Sequence, residues 1–266
     1  MAEKKEKTKG RQAYTMLVIA LAGILILTGI ISLMAFGAYY VRGTKYLESS
    51  KNVANNFIKG LPDESIIYVK DSALYNNIEA EPVEETDTTV QKEKEKLENI
   101  QEKIQELKAI NPDTVGFIII DGTDIQYPVV QSVNNDYYLD HNFEGKKDRR
   151  GCIFADYRND LSANGEPQNI VLYGHNMKDG TMFGPLKKYN DKNFYESHKT
   201  VRLYTMKGEL VYNINEARVC SEKRAALYVK VENDDSLQNY TLTLVTCSKG
   251  DDRMVILGEQ IGDDNG

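Results

Sequence analysis

Tyr240-Thr241-Leu242-Thr243-Leu244-Val245-Thr246-Cys247, followed at once by Ser248-Lys249-Gly250-Asp251-Asp252-Arg253, is the stretch on which the reading of this chain turns. Leu242, Leu244 and Thr246 alternate with Thr241, Thr243, Val245 and Cys247, the pattern of a β-strand with two distinct faces. Cys247 ends that strand. A polar loop then delivers Arg253 to the start of a second apolar strand, Arg253-Met254-Val255-Ile256-Leu257. A thiol at a strand end with a guanidinium one short loop away has two parts of an activated nucleophile, and a base is the third.

Asn169-Ile170-Val171-Leu172-Tyr173-Gly174-His175-Asn176 supplies a candidate. Its apolar run reads as a buried strand, and His175 sits where that strand breaks into loop. Cys247, Arg253 and His175 would meet at one rim if these strands share a small barrel, and barrel mouths are common places for a site. The residue types suit acyl transfer. A free thiol titrates near pH 8.5 and a free imidazole near 6.5, so a neighbouring imidazolium raises the thiolate fraction. The imidazole can protonate a leaving amine and later deprotonate the incoming nucleophile. A guanidinium cannot act as a base but can donate to a developing oxyanion. Each residue also has a plainer reading: Cys247 as a small core residue, His175 as a loop histidine, Arg253 as a surface partner of Asp251 or Asp252.

Working outward, Phe117-Ile118-Ile119-Ile120, the Asp121-Gly122 turn and Ile125-Gln126-Tyr127-Pro128-Val129-Val130 form a strand, turn and strand. Strands are also predicted at Cys152–Ala155, Val201–Tyr204, Val211–Ile214 and Leu227–Val231, with one helical interruption around Met182 to His198. Short, closely spaced strands predict an antiparallel barrel or sandwich. Upstream, Leu97, Ile100, Ile104 and Leu107 recur at helical spacing, which predicts an amphipathic helix over 90–110 that packs on the following domain and stops at Asn111-Pro112-Asp113. Residues 42–89 read as a polar stalk, with the preceding helix able to continue through Leu47, Val53 and Phe57.

Ala13 to Val41 carries no charged side chain. At about 1.5 Å of rise per residue this exceeds the roughly 20 apolar residues that span a bilayer, and it is longer than the apolar core of a signal peptide. It is read as a membrane anchor. The preceding tail, 1–12, has a net charge of about +3, which places it in the cytoplasm and the remainder outside. The whole chain carries −7, so about −10 lies beyond the tail, a poor match for nucleic acid. Cys152 and Cys220 read as packing residues, with a disulfide between them the alternative. His141 and His198 read as structural. No Cys-x-x-Cys pair or suitable His spacing occurs, so neither a metal nor another cofactor is expected.

Thr243-Leu244-Val245-Thr246-Cys247 followed by Arg253 resembles the signature of sortases, the membrane-anchored cysteine transpeptidases of Gram-positive bacteria. Further stretches resemble class B sortases. They include Asn111–Ile118, Tyr127–Gln131, Asp136–Leu139, Ile153–Asn159 and Tyr173–Gly184, so the likeness covers about 111–261. It implies a closed β-barrel of about eight strands with N-terminal helices, here over 111–262. It implies Cys247 as nucleophile, His175 as general acid/base and Arg253 as oxyanion or substrate-positioning residue. Asn135 and Leu139 fall at peptide-contacting positions. The implied substrates are surface proteins with a C-terminal sorting signal, and the implied acceptor is an amine of a cell-wall precursor or a pilin lysine. A hydrolase using water and a non-catalytic scaffold are the alternatives. The chain departs from class B in the brief 213–239 segment, which shows no strong helical period, in a short loop from Cys247 to Arg253, and in Phe117 where tryptophan is usual.

Overall fold

The computed structural model describes residues 2–61, 87–162, 168–231, 241–247 and 252–261. Its strands are β1 (Thr114–Ile120), β2 (Gln126–Val130), β3 (Ile153–Ala155), β4 (Ile170–His175), β5 (Thr200–Thr205), β6 (Gly208–Ser221), β7 (Leu242–Cys247) and β8 (Asp252–Gln260). They close in the order β1-β2-β3-β4-β7-β8-β6-β5, and β5 pairs back to β1. Closure removes every unpaired sheet edge. The barrel is not purely antiparallel as expected. β2 and β3 run parallel, as do β4 and β7. Each parallel pair is separated in sequence by a long connection: a loop with a 3-10 turn (Tyr137–Leu139) in the first case, and β5 with β6 in the second.

β1 reads as a nearly continuous apolar run because both of its faces are covered. Phe117 and Ile119 belong to a cluster formed with Ala54, Phe57 and Leu61 and with Ile100, Ile104 and Leu107, while Ile118 and Ile120 lie on the other face. The first three of those partners come from the end of helix α1 (Ala2–Lys59) and the residues just after it. The next three come from α2 (Asp87–Ile110), whose spacing matches the expected amphipathic stripe. Phe57 stacks on Phe117 at 4.1 Å and meets Tyr204 edge-on at 5.5 Å. One compact unit therefore runs from Val53 to Gly266, and a second holds Met1–Asn52. The part of the predicted stalk at 62–86 lies outside the described residues.

A buried polar network fastens α2 to the barrel. Arg202 on β5 donates to Asp121 at 3.2 Å and to Glu209 at 2.8 Å, and Lys96 of α2 reaches Glu209 at 2.6 Å. Burial pushes Asp121 up to about 6 despite Arg202 beside it.

The predicted helical interruption resolves into a 3-10 segment (Gly184–Asn190) and a short helix α3 (Lys192–Ser197), capped where Asp191 accepts from the Phe194 amide. The predicted strand at Leu227–Val231 is absent. β6 instead continues to Ser221 and is followed by a four-residue helix, α4 (Glu222–Ala225), and a turn. Tyr228 N–H closes back on the Ala225 carbonyl, and the Asn169 side chain holds the carbonyls of Tyr228 and Lys230. The alternating Leu, Val and Val thus lie along a turn pinned to β4, and Leu227 faces solvent.

In the unit Met1–Asn52, α1 is a single helix whose apolar side chains are exposed: Leu25 is 72% and Leu33 71% accessible. Such a surface suits the hydrocarbon of a bilayer rather than water. Among the described residues α1 is the one helix long and apolar enough to cross a membrane. It forms a single-pass anchor with the basic N-terminal tail inside and the barrel outside.

Candidate active site

β4 and β7 lie parallel with His175 in register with Cys247, and each is the last residue of its strand. β8 returns antiparallel, with Val245 opposite Val255. The same register, continued two residues toward the strand end, brings Cys247 opposite Arg253. Arg253 in turn pairs with Cys220 of β6. One row of backbone positions across four adjacent strands therefore carries His175, Cys247, Arg253 and Cys220. His175 comes from a segment distant from Cys247 and Arg253, and the three share a rim because parallel pairing aligns the ends of β4 and β7 while β8 returns beside β7.

A cleft of about 620 Å³ opens beside this row. Tyr173, Val245 and Phe154 line it together with Asn135 and Leu139, which flank or end the 3-10 turn, and with Ala225, Ala226 and Val229 of the α4 turn. His175, Glu222 and Arg253 also border it. The close fit of Gly174 helps set the histidine: a Cβ there would stand 2.5 Å from Ile153 Cδ1 and 2.8 Å from the Phe183 ring.

His175 is half-buried, with Nε2 2.7 Å from the Leu139 carbonyl oxygen. A carbonyl only accepts, so Nε2 is the nitrogen that donates in this contact. Arg253 Nη2 lies 3.3 Å from Glu222 Oε1, and Nη1 points to the Asp252 carbonyl at 3.5 Å. Asn135 is held from both ends of its amide: Oδ1 accepts the Tyr157 N–H at 3.0 Å and Nδ2 donates to Asp156 at 3.0 Å. Leu139 thus contributes both a cleft-lining side chain and the carbonyl that orients His175.

Cys152 and Cys220 are free, buried thiols, so no disulfide joins them, and burial pushes both up in pKa. His141 and His198 bond backbone carbonyls through Nδ1 and stack on Tyr137 and Phe194, as structural histidines do. Among the described residues no cluster of three or more His, Cys, Asp or Glu could hold a metal ion. Sequence reasoning did not single out Tyr173, Glu222 and Val229 as site residues. Of these, only Tyr173 carried a usable signal, as an aromatic directly before Gly174-His175.

The closed eight-stranded barrel thus carries a cysteine, a histidine and an arginine at one rim. The sortase domain model matches residues 118–261, and the chain belongs to the sortase family, on its class B branch. It is 37% identical over 171 residues to the sortase B of Listeria monocytogenes, a match covering 64% of this chain and 60% of that protein. The chain thus spans less than two thirds of that relative's length. Sortase B of Clostridium perfringens aligns with a TM-score of 0.54 and 32% identity, covering 59% of this chain and 99% of that structure. A Staphylococcus aureus sortase B–substrate complex aligns at 0.54 with 27% identity, covering 65% and 98%.

Proposed function

We propose that this protein is a membrane-anchored cysteine transpeptidase that cleaves a C-terminal sorting signal of surface proteins and passes the acyl group to an amine. The observation that carries the reading is the in-register pairing of His175 with Cys247 at the strand ends, with Arg253 on the next strand and a peptide-sized cleft alongside. Cys247 attacks the scissile carbonyl as thiolate. Arg253 donates to the oxyanion or to the substrate carbonyl, which catalytic sites of this kind use for about 3–4 kcal/mol. His175 gives its proton to the departing amine, leaving a thioester. An incoming amine then attacks, loses its proton to His175 and expels the thiolate, so the thiolate and the protonated His175 are regenerated.

Asn135 and Leu139 contact the sorting peptide from one wall. The amine acceptor is a cell-wall precursor or a pilin lysine on the outer face of the membrane. Within this reading 1–12 is the cytoplasmic tail, 13–41 the anchor, 42–89 the link to the outer body, 90–110 the packing helix and 111–262 the barrel.

The test is a library of sorting-signal peptides offered with and without oligoglycine or lysine amines, with products identified by mass spectrometry. Ligated product that disappears in Cys247→Ala supports transpeptidation. Cleavage with no ligation to any amine makes the protein a hydrolase, and no turnover from wild type makes it a scaffold.

A further inference from the structure

The cleft's walls and floor converge on a carboxylate that does not itself line the cleft. Asp156, the residue after β3, is fully buried. Its Oδ2 accepts from Asn135 Nδ2 at 3.0 Å, from the Tyr173 hydroxyl at 3.0 Å and from Arg158 Nη2 at 2.8 Å. Its Oδ1 accepts from Arg158 Nε at 2.8 Å and from the Arg158 amide at 3.0 Å. Arg158 reaches further, with Nη2 2.9 Å from the Val229 carbonyl. Asn135 on one wall, Tyr173 and, through Arg158, Val229 on the other wall are therefore tied to one anion. Burial alone would push the Asp156 carboxyl up, but the hydrogen bonds from Arg158, Asn135 and Tyr173 outweigh it and hold it below the usual carboxylate range.

We propose that Asp156 is the positioning residue of the peptide groove, setting its width and aiming the Asn135 amide and the Tyr173 ring at the bound chain. This deepens the peptide-processing reading above and rests on it. A primary amide nitrogen has two donors, and Asp156 uses one of them on Asn135. With Oδ1 turned to the Tyr157 amide, the second Nδ2 hydrogen is the donor available to a peptide carbonyl in the cleft. Two neighbouring facts fit a groove role. The carboxylate joins segments that are far apart in sequence, and all three of its distant clients border the cleft. A buried ion pair is weak evidence for net stability, which leaves the placement of its partners as the role this carboxylate is assigned here.

The full-length chain in detergent, as wild type, Asp156→Asn and Arg158→Lys, is assayed for kcat and KM with a sorting-signal peptide. The rate of Cys247 alkylation by iodoacetamide, a reagent too small to need the groove, is measured alongside. Loss of a charge-assisted bond that aims a substrate contact is worth about tenfold in affinity. Asp156→Asn is expected to raise KM about tenfold, to change kcat and alkylation by less than about threefold, and to narrow the preference between matched and altered peptides. Arg158→Lys keeps the cation but loses the fork, so it raises KM by a smaller factor, and this second variant carries the test if Asp156→Asn fails to fold. An unchanged KM in folded Asp156→Asn overturns the proposal. So does a fall in kcat and alkylation together, which would place the carboxylate's effect on the reacting pair. Wild-type protein that alkylates normally but turns over no peptide refutes the peptide-processing reading itself, a result separable from either of these.

Discussion

Phe57→Ala asks where the folded body outside the membrane begins. Phe57 lies in the last turns of the same helix that forms the anchor, yet it is 2% exposed, stacked on Phe117 and edge-on to Tyr204. Removing a buried phenylalanine costs about 3–5 kcal/mol, and stacking adds about 0.5–1.5 kcal/mol beyond area. With partial relaxation of Ala54 and Leu61 into the gap, a loss of about 4 kcal/mol is expected. For a body of this size about 1 kcal/mol moves Tm by roughly 2–4 °C, so Tm should fall by about 8–16 °C. The chain has 17 tyrosines and no tryptophan, so near-ultraviolet circular dichroism of the detergent-solubilised protein reports the tertiary transition. Asn55→Ala, an exposed site on the same helix, should stay within about 0.5 kcal/mol of wild type. A Tm drop under about 2 °C in Phe57→Ala would mean that the helix end is a passive linker, and the packing argument would be wrong.

Native protein at neutral pH should incorporate one iodoacetamide label, at Cys247, and three after denaturation, since burial holds Cys152 and Cys220 as thiols; peptide mapping by mass spectrometry reads the sites. Two or more native labels would contradict that. Gly174→Ala should place a methyl against Ile153 and Phe183, cost about 1–3 kcal/mol and cut peptide turnover at least about tenfold by displacing His175; full activity would show that the strand end tolerates the shift. Asp121 has a folded pKa of about 6 against 3.8, so the folded state keeps a proton the unfolded chain has released. That stability is fully present below about pH 4 and is lost as pH rises to about 6, an amount on the order of 3 kcal/mol. Asp121→Asn should remove this slope in thermal melts taken from pH 4 to pH 7, and an unchanged slope would assign it elsewhere.

Local patterns carried much of the architecture. The β7 alternation, the Ile run of β1, the three-and-four spacing of Ile100, Ile104 and Leu107, and the charge-free 13–41 segment each report a repeat that a strand or helix imposes on neighbouring residues. The same logic failed at Leu227–Val231. There the alternation is real, but the segment's backbone bonds go to Asn169 and the α4 turn, partners no local pattern encodes. Asp156 lies within Ile153–Asn159, a stretch that resembles class B sortases, but its place in the chain assigns it no role, and only folding brings Asn135, Tyr173 and Val229 to it.

The sequence by itself determined that this chain has a membrane-length apolar helix, a β-rich body, and a cysteine, a histidine and an arginine at strand ends, because those properties belong to contiguous residues. Tertiary structure alone decided that β4 and β7 run side by side with His175 level with Cys247, that the end of α1 belongs to the body Val53–Gly266, and that one buried carboxylate joins both walls of the cleft. The physical reason is that strand register and buried polar pairing are settled by barrel closure, when every edge must find a partner and every buried charge a counterpart.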